Sequence, residues 1–180
     1  MLAPTLETER LVLRAIEESD LDGWARLLGD PVSARFIGGV AERSAAWRGM
    51  ATMAGSWALR GFGMFSIVEK ASGRWIGRAG PWQPEGWPGT EVGWALLPDA
   101  WGRGYAAEGA TAAIDWAFAN LAWTDVIHMI DPQNTASIAL AERLGSTDRG
   151  ACRLPPPLDT FNVRAWGQTR EQWLARRSAG

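Results

Sequence analysis

Among the residues of this chain that could do chemistry, the turn Trp101-Gly102-Arg103-Gly104-Tyr105-Ala106 is the most informative. It follows the apolar stretch Glu91-Val92-Gly93-Trp94-Ala95-Leu96-Leu97, which Pro98 ends, and it opens a helical pattern. A helix N-terminus presents main-chain N–H groups without intrahelical partners, and its dipole favours negative charge. Gly102 and Gly104 would let the main chain approach a diphosphate closely, so the turn reads as an anion cradle. A strand-helix turn that needs glycine only for its geometry gives the same residues, and both readings stay open at this point.

Two other phosphate-binding patterns compete. The nucleotide P-loop requires a lysine directly after its glycines, and Lys70, the chain's one lysine, precedes this turn by a long way. The dinucleotide fingerprint G-x-G-x-x-A is met formally by Gly102 through Ala107, with Asp131 placed to serve as the ribose ligand. That fingerprint belongs to the first strand-helix turn of a doubly wound sheet. Here a hairpin comes first and Pro98 lengthens the turn, which argues against a nicotinamide-dependent oxidoreductase.

The elements that must position this turn can be read from periodicity and punctuation. Residues 10–14 give a first strand, and Glu17-Glu18-Ser19-Asp20 could cap a helix over about 20–29. A second helix spans about 41–60, with Trp47, Met50, Ala51, Ala54, Trp57 and Ala58 on the side that packs on a sheet. Strand 64–69, the turn Ala71-Ser72-Gly73 and strand 74–80 form a hairpin. A connection rich in proline, glycine and tryptophan, residues 81–89, leads to the strand at 91–97, whose continuous apolar run belongs in mid-sheet. A helix at about 104–121, a strand at 125–130, and a helix capped by Asn134 or Thr135 that runs to Leu144, with Gly145 closing it, come next. A strand at about 147–153, the loop Pro155-Pro156-Pro157, a strand at about 160–166 and a helix from Thr169 complete a mixed α/β order. At 180 residues, with no repeat or domain-scale linker, residues 1–180 read as one domain.

Composition removes several classes of function. Cys152 and His128 are single, too few for a disulfide or a zinc site, so no metal is expected. The formal charge of −2 gives no net attraction to nucleic acid, and 17 of the 18 basic residues are arginine, a compositional habit rather than a phosphate signal. No run approaches a membrane span, and the stretch from Met1 to Arg10 lacks the basic and apolar segments of a leader, so a cytoplasmic address and no membrane partner are expected. The twelve tryptophans are spread from Trp24 to Trp173 as anchors would be, with no stacking stripe. A homodimer is compatible with this sequence, which does not set the oligomeric state.

Taken together, several ordered segments resemble the GNAT acetyltransferases, within them the RimJ/RimL-like branch typified by ribosomal-protein N-terminal acetyltransferases. They are Leu6 to Arg14, Gly73 to Gly80, Glu91-Val92-Gly93-Trp94, Trp101 to Glu108, and Asn134-Thr135-Ala136-Ser137 through Glu142-Arg143-Leu144-Gly145. In the family pattern Gln/Arg-x-x-Gly-x-Gly/Ala, Gly104 and Ala106 match, while Trp101 replaces the first residue as is usual in this branch.

The resemblance implies an α/β GNAT fold: a twisted mixed sheet splayed between the strands at 91–97 and 125–130, with acetyl-CoA in the opening. Amides of Gly102, Arg103, Gly104, Tyr105, Ala106 and Ala107 would hold the CoA diphosphate. Main-chain groups of Trp94, Ala95 and Leu96 would pair with the pantetheine arm like an added strand. Asn134 looks like the family's pantetheine-binding asparagine, and an ordinary helix cap is the equal alternative. The implied reaction is direct attack by a neutral amine, from a protein N-terminus or a small molecule, on the thioester. Free amines are mostly protonated near neutral pH, so a base is needed. Glu91, at the start of the central strand, is the first candidate, against the alternative of a solvated strand-end charge. The tyrosine that often protonates the thiolate in the family is replaced by Ala141, which leaves Ser137 as the nearest substitute. Ser137 could equally bond only its helix backbone. His128 reads as a packed core histidine, and Cys152 has no basic partner that would make it an acyl carrier. Because the tyrosine is absent, a non-catalytic acyl-CoA-binding module is the alternative of a different class.

Overall fold

The computed structural model describes residues 3–179; Met1 and Leu2 of the N-terminal stretch, and Gly180, lie outside the described residues. In chain order the elements are β1 (Leu6–Glu7), β2 (Leu11–Arg14), α1 (Leu21–Gly29), α2 (Arg43–Arg60), β3 (Phe65–Glu69), β4 (Trp75–Trp82) and β5 (Glu91–Leu96). Then come α3 (Tyr105–Asn120), β6 (Asp125–Ile130), α4 (Thr135–Leu144), β7 (Thr147–Cys152), β8 (Val163–Thr169) and α5 (Arg170–Ala179). The strands form an eight-stranded mixed sheet in the order β1-β2-β3-β4-β5-β6-β8-β7. β5 and β6 are parallel, as the intervening helix α3 requires of a crossover. The chain divides into two compact units, Met1–Gly80 with Trp94–Ala112, and Pro81–Gly93 with Ala113–Gly180.

In the first unit, Leu11 and Leu13 of β2 are fully buried while Val12 and Arg14 are half-buried, the alternation of a strand with one face on a core. β2 pairs antiparallel with β3, Leu11 opposite Glu69 and Leu13 opposite Ile67. β3 pairs with β4 through a bulge between Ile67 and Val68. Gly77 of β4 lies so close to β5 that a Cβ there would meet the Ala95 carbonyl oxygen at 2.3 Å, so glycine is obligatory on steric grounds. Helix α2 buries Ala46, Met50 and Trp57, and the Trp57 indole N–H donates to the Met64 carbonyl at 2.9 Å. Trp47, expected on that packed side, is 44% exposed. The helix is so rich in alanine and tryptophan that its apolar pattern names two neighbouring stripes, and the buried one runs through Ala46 instead. Asp20, read as part of a helix cap, closes a capping box with Glu17 at the 3-10 turn leading into α1, accepting from the Glu17 N–H at 2.9 Å, and it also accepts from the Arg14 guanidinium at 2.7 Å and the Ser66 hydroxyl at 2.6 Å.

In the second unit, β6 runs in unbroken antiparallel register with β8, from Asp125 opposite Thr169 to Ile130 opposite Arg164. β8 therefore starts at Val163, three residues beyond the expected start, because turns through Leu158 and Phe161 lengthen the proline loop. The core here includes Ala113, Ile114, Ala117 and Phe118 of α3, all buried. Helix α4 is capped by the Asn134 side chain and closed by Gly145 in the left-handed conformation.

Candidate functional site

The glycine turn belongs to the first unit. Gly102 and Gly104 have φ of +70° and +80°, conformations open to glycine and strained for other residues. The first helical bond of α3 runs from the Glu108 N–H to the Gly104 carbonyl at 3.1 Å, which makes Gly104 the N-cap residue. Glycine has no side chain with which to cap. The N–H groups of Tyr105, Ala106 and Ala107 therefore point out of the helix end, with neither an intrahelical acceptor nor a side-chain cap on Gly104 to take them. Small side chains at 106 and 107 leave their approach clear.

The turn is braced from beneath. Tyr105 is buried, and its hydroxyl donates to Glu69 Oε1 at 2.5 Å, while Arg103 pairs with the same carboxylate at 2.9 Å. The Ser72 and Tyr105 hydroxyls hold the Glu69 carboxyl below the usual carboxylate range. Arg10 and Arg103 each place a guanidinium 4.7 Å from the centre of the Tyr105 ring. Arg10 also donates to the Arg103 carbonyl at 2.9 Å. In a trans peptide the C=O and N–H point opposite ways, so this bond aims the Gly104 N–H away from Arg10. Glu108 anchors the other end. It accepts from the Thr8 hydroxyl at 2.5 Å and from the Arg10 amide at 2.8 Å, and it pairs with the Arg10 guanidinium at 2.7 Å. Burial opposes the Glu108 charge, but the Thr8 and Arg10 donors outweigh it and hold its carboxyl below the ordinary value. Of these braces, the sequence assigned roles only to Tyr105 and Arg103, as cofactor ligands. Thr8, Arg10 and Glu108 lie in the segments Leu6 to Arg14 and Trp101 to Glu108 that carry the family resemblance, but nothing in the sequence pairs them with one another, and Glu69 at the end of β3 was not singled out.

β5 supplies the turn's other neighbour. The Leu97 N–H donates to the Ile76 carbonyl at 2.9 Å, and main-chain groups along a strand alternate between its edges, so Trp94 and Leu96 face away from β4. The Leu96 carbonyl on that edge accepts from the Trp101 indole at 2.8 Å, which pins the start of the turn to the strand.

In the second unit Glu91 is 8% exposed, so it is not a solvated strand-end charge. Its Oε2 accepts from the Trp87 indole at 2.6 Å and its Oε1 from the Met129 N–H at 3.3 Å. Asn134 Oδ1 accepts from the Ser137 N–H at 3.2 Å, so Asn134 does cap α4, and Ser137 is half-buried in the first turn. His128 is a core histidine, 1% exposed, with Nδ1 at 2.6 Å from the Val92 carbonyl and Nε2 at 3.1 Å from the Ser146 hydroxyl. Burial pushes its pKa down to about 4, so the ring is neutral at pH 7. A carbonyl can only accept, so Nδ1 carries the proton, and the Ser146 hydroxyl donates to Nε2. Cys152 is a free thiol on β7. Among the described residues no group of three or more His, Cys, Asp or Glu is placed to hold a metal ion, and no helix is long and apolar enough to cross a membrane.

Comparison of the sequence and of the fold with known proteins leads to the acetyltransferases. A family model described as an acetyltransferase (GNAT) domain matches residues 10–147. The uncharacterized N-acetyltransferase p20 of Bacillus licheniformis is 33% identical over 83% of this chain and 85% of its own. The crystal structure of an acetyltransferase from Agrobacterium tumefaciens superposes with a TM-score of 0.81 at 32% identity, covering 94% of this chain and 96% of that one. The fold is shared as well with the ribosomal-protein-S5-alanine acetyltransferase of Vibrio fischeri, at a TM-score of 0.69 and 16% identity, over 95% of this chain and 99% of that one.

Proposed function

Because this chain belongs to the GNAT acetyltransferase family, we propose that it transfers the acetyl group of acetyl-CoA to a primary amine by direct attack in a ternary complex. The observation that carries the reading is Gly104 as a side-chain-free N-cap, which leaves the N–H groups of Tyr105, Ala106 and Ala107 for a diphosphate. Gly102, Arg103 and Gly104 extend that cradle. The main chain of β5 from Trp94 to Leu96 pairs with the pantetheine arm, chiefly through Trp94 and the Leu96 N–H on the edge away from β4. Asn134 caps α4 through Oδ1 and offers its Nδ2 amide to a pantetheine carbonyl.

Glu91 is the proposed base. The Trp87 indole and the Met129 N–H fix the direction of its carboxylate, and it takes the amine's proton through an ordered water, for a contribution on the order of 10²–10⁴ in rate. The amine nitrogen then forms a bond to the thioester carbonyl carbon and the C–S bond breaks; the nitrogen's second proton passes to the thiolate through the Ser137 hydroxyl, which gives up one proton as it receives the other and ends unchanged. The Tyr105 phenol, bound to Glu69, is assigned no proton transfer.

Its relatives by fold include a ribosomal-protein acetyltransferase, so a protein N-terminus is the first acceptor to try, followed by small amines. The test is thiol release from acetyl-CoA with peptides bearing free N-termini, polyamines and amino acids. Turnover with at least one acceptor, and its loss in Glu91→Gln with acetyl-CoA binding intact, supports the reading. Binding without turnover across the whole panel would instead make the chain an acyl-CoA-binding module.

A further inference from the structure

In the second unit, β5 and β6 begin a regular parallel ladder. The Ile127 N–H donates to the Thr90 carbonyl at 3.0 Å, and Glu91 stands in register with Ile127. The next bond from β6 in such a ladder leaves two residues on, from the Met129 N–H to the Val92 carbonyl. Both of those groups are engaged by side chains. The Met129 N–H donates to Glu91 Oε1 at 3.3 Å, and the Val92 carbonyl accepts from His128 Nδ1 at 2.6 Å.

The imidazole is itself held in place. Ser146 meets Nε2 at 3.1 Å, and the Gln168 amide donates both to the Ser146 oxygen and to the Leu144 carbonyl, each at 3.1 Å. Gln168, Ser146 and His128 are all buried, so the chain Gln168 to Ser146 to His128 to Val92 runs through the interior in one proton order. The Trp87 indole fixes the other oxygen of Glu91 at 2.6 Å.

We propose that His128, oriented by Ser146 and Gln168, and the Glu91 carboxylate form a latch that ends the β5–β6 ladder at Glu91. The β5 edge beyond Glu91 is thereby kept available to the thioester. His128 is a positioning residue in this account, since it acts through the Val92 main chain and exchanges no proton with substrate. The functional part of the inference rests on the acetyltransferase reading; the structural part does not.

The test uses the full chain and the variants His128→Asn, His128→Leu and Ser146→Ala. Asparagine keeps an N–H donor near the position of Nδ1, so His128→Asn should hold the KM for acetyl-CoA within about twofold, whereas His128→Leu and Ser146→Ala should raise it about tenfold with a smaller change in kcat. Nitrogen NMR of the wild-type imidazole should show the proton on Nδ1, and the Met129 amide resonance should shift in the leucine and alanine variants. A folded His128→Leu with wild-type KM, or a proton on Nε2, overturns the proposal. Should the leucine variant not fold, a Ser146→Ala protein with wild-type KM and an unmoved Met129 amide overturns it equally. If the wild type transfers no acetyl group, the proposed function fails, while the tautomer and the Met129 shift still decide the latch.

Discussion

The Tyr105 hydroxyl reaches the Glu69 carboxylate at 2.5 Å, so the first residue of α3 is tied to the last residue of β3. Arg103 shares that carboxylate at 2.9 Å, and the glycine turn is thereby fixed on both sides of Gly104 before any ligand arrives. A cradle ordered in advance loses less conformational entropy on binding. Glu69→Gln keeps an acceptor for Tyr105 but removes the charge that holds Arg103. The expected result is a KM for acetyl-CoA raised by roughly three- to tenfold with kcat little changed, because the guanidinium is half exposed and the ion pair correspondingly weak. Steady-state kinetics with acetyl-CoA as the varied substrate check it.

Gly77 gives a prediction about the fold itself. A methyl group there must displace the Ala95 carbonyl, which is backbone and cannot swing aside. Gly77→Ala should cost roughly 1–3 kcal/mol, as overpacking does, and should be visible as a lower midpoint in urea with an unchanged slope.

His128 sets a pH dependence. Burial, helped by the charge of Arg149 and opposed by the bond to Val92, lowers its pKa from 6.5 to about 4 in the folded protein. Between those values the unfolded chain binds a proton that the folded one refuses, so stability from this group is complete above pH 6.5 and falls as pH drops towards 4. The slope is about 1.4 kcal/mol per pH unit and the total roughly 3 kcal/mol. Denaturation curves of wild type and His128→Asn between pH 7 and 4 should converge on acidification, since asparagine does not titrate.

Much of this architecture was legible in the sequence because the signals were local. Pro98 and the glycines marked the turn, Asn134 and Gly145 marked both ends of α4, and the strand at 125–130 was read to the residue. What the sequence hid depends on partners far away in the chain. β8 was placed three residues early because its register is set by β6, across a loop whose length proline content does not reveal. Trp47 was placed on the packed side of α2 because alanine-rich helices carry no sharp apolar edge. The turn was read as an anion cradle from its own residues, yet its braces Glu69 and Arg10 lie 36 and 93 residues from their partners Tyr105 and Arg103 in the chain. Glu91 was chosen for its place at the head of β5. Its burial, and the Trp87 and Met129 N–H groups around it, belong to tertiary structure alone.

The central claim is that main-chain N–H groups from Gly102 to Ala107 grip the diphosphate of acetyl-CoA, and titration calorimetry with two thioesters tests it most directly. Acetyl-CoA and acetyl-pantetheine share the reactive arm and differ in the diphosphate and nucleotide. The account predicts that acetyl-pantetheine binds roughly a hundredfold more weakly, the loss of about two charge-assisted hydrogen bonds, and that Gly104→Val weakens acetyl-CoA towards that level while leaving acetyl-pantetheine unchanged. Equal affinities for the two thioesters, or a Gly104→Val protein that binds acetyl-CoA as the wild type does, would contradict it.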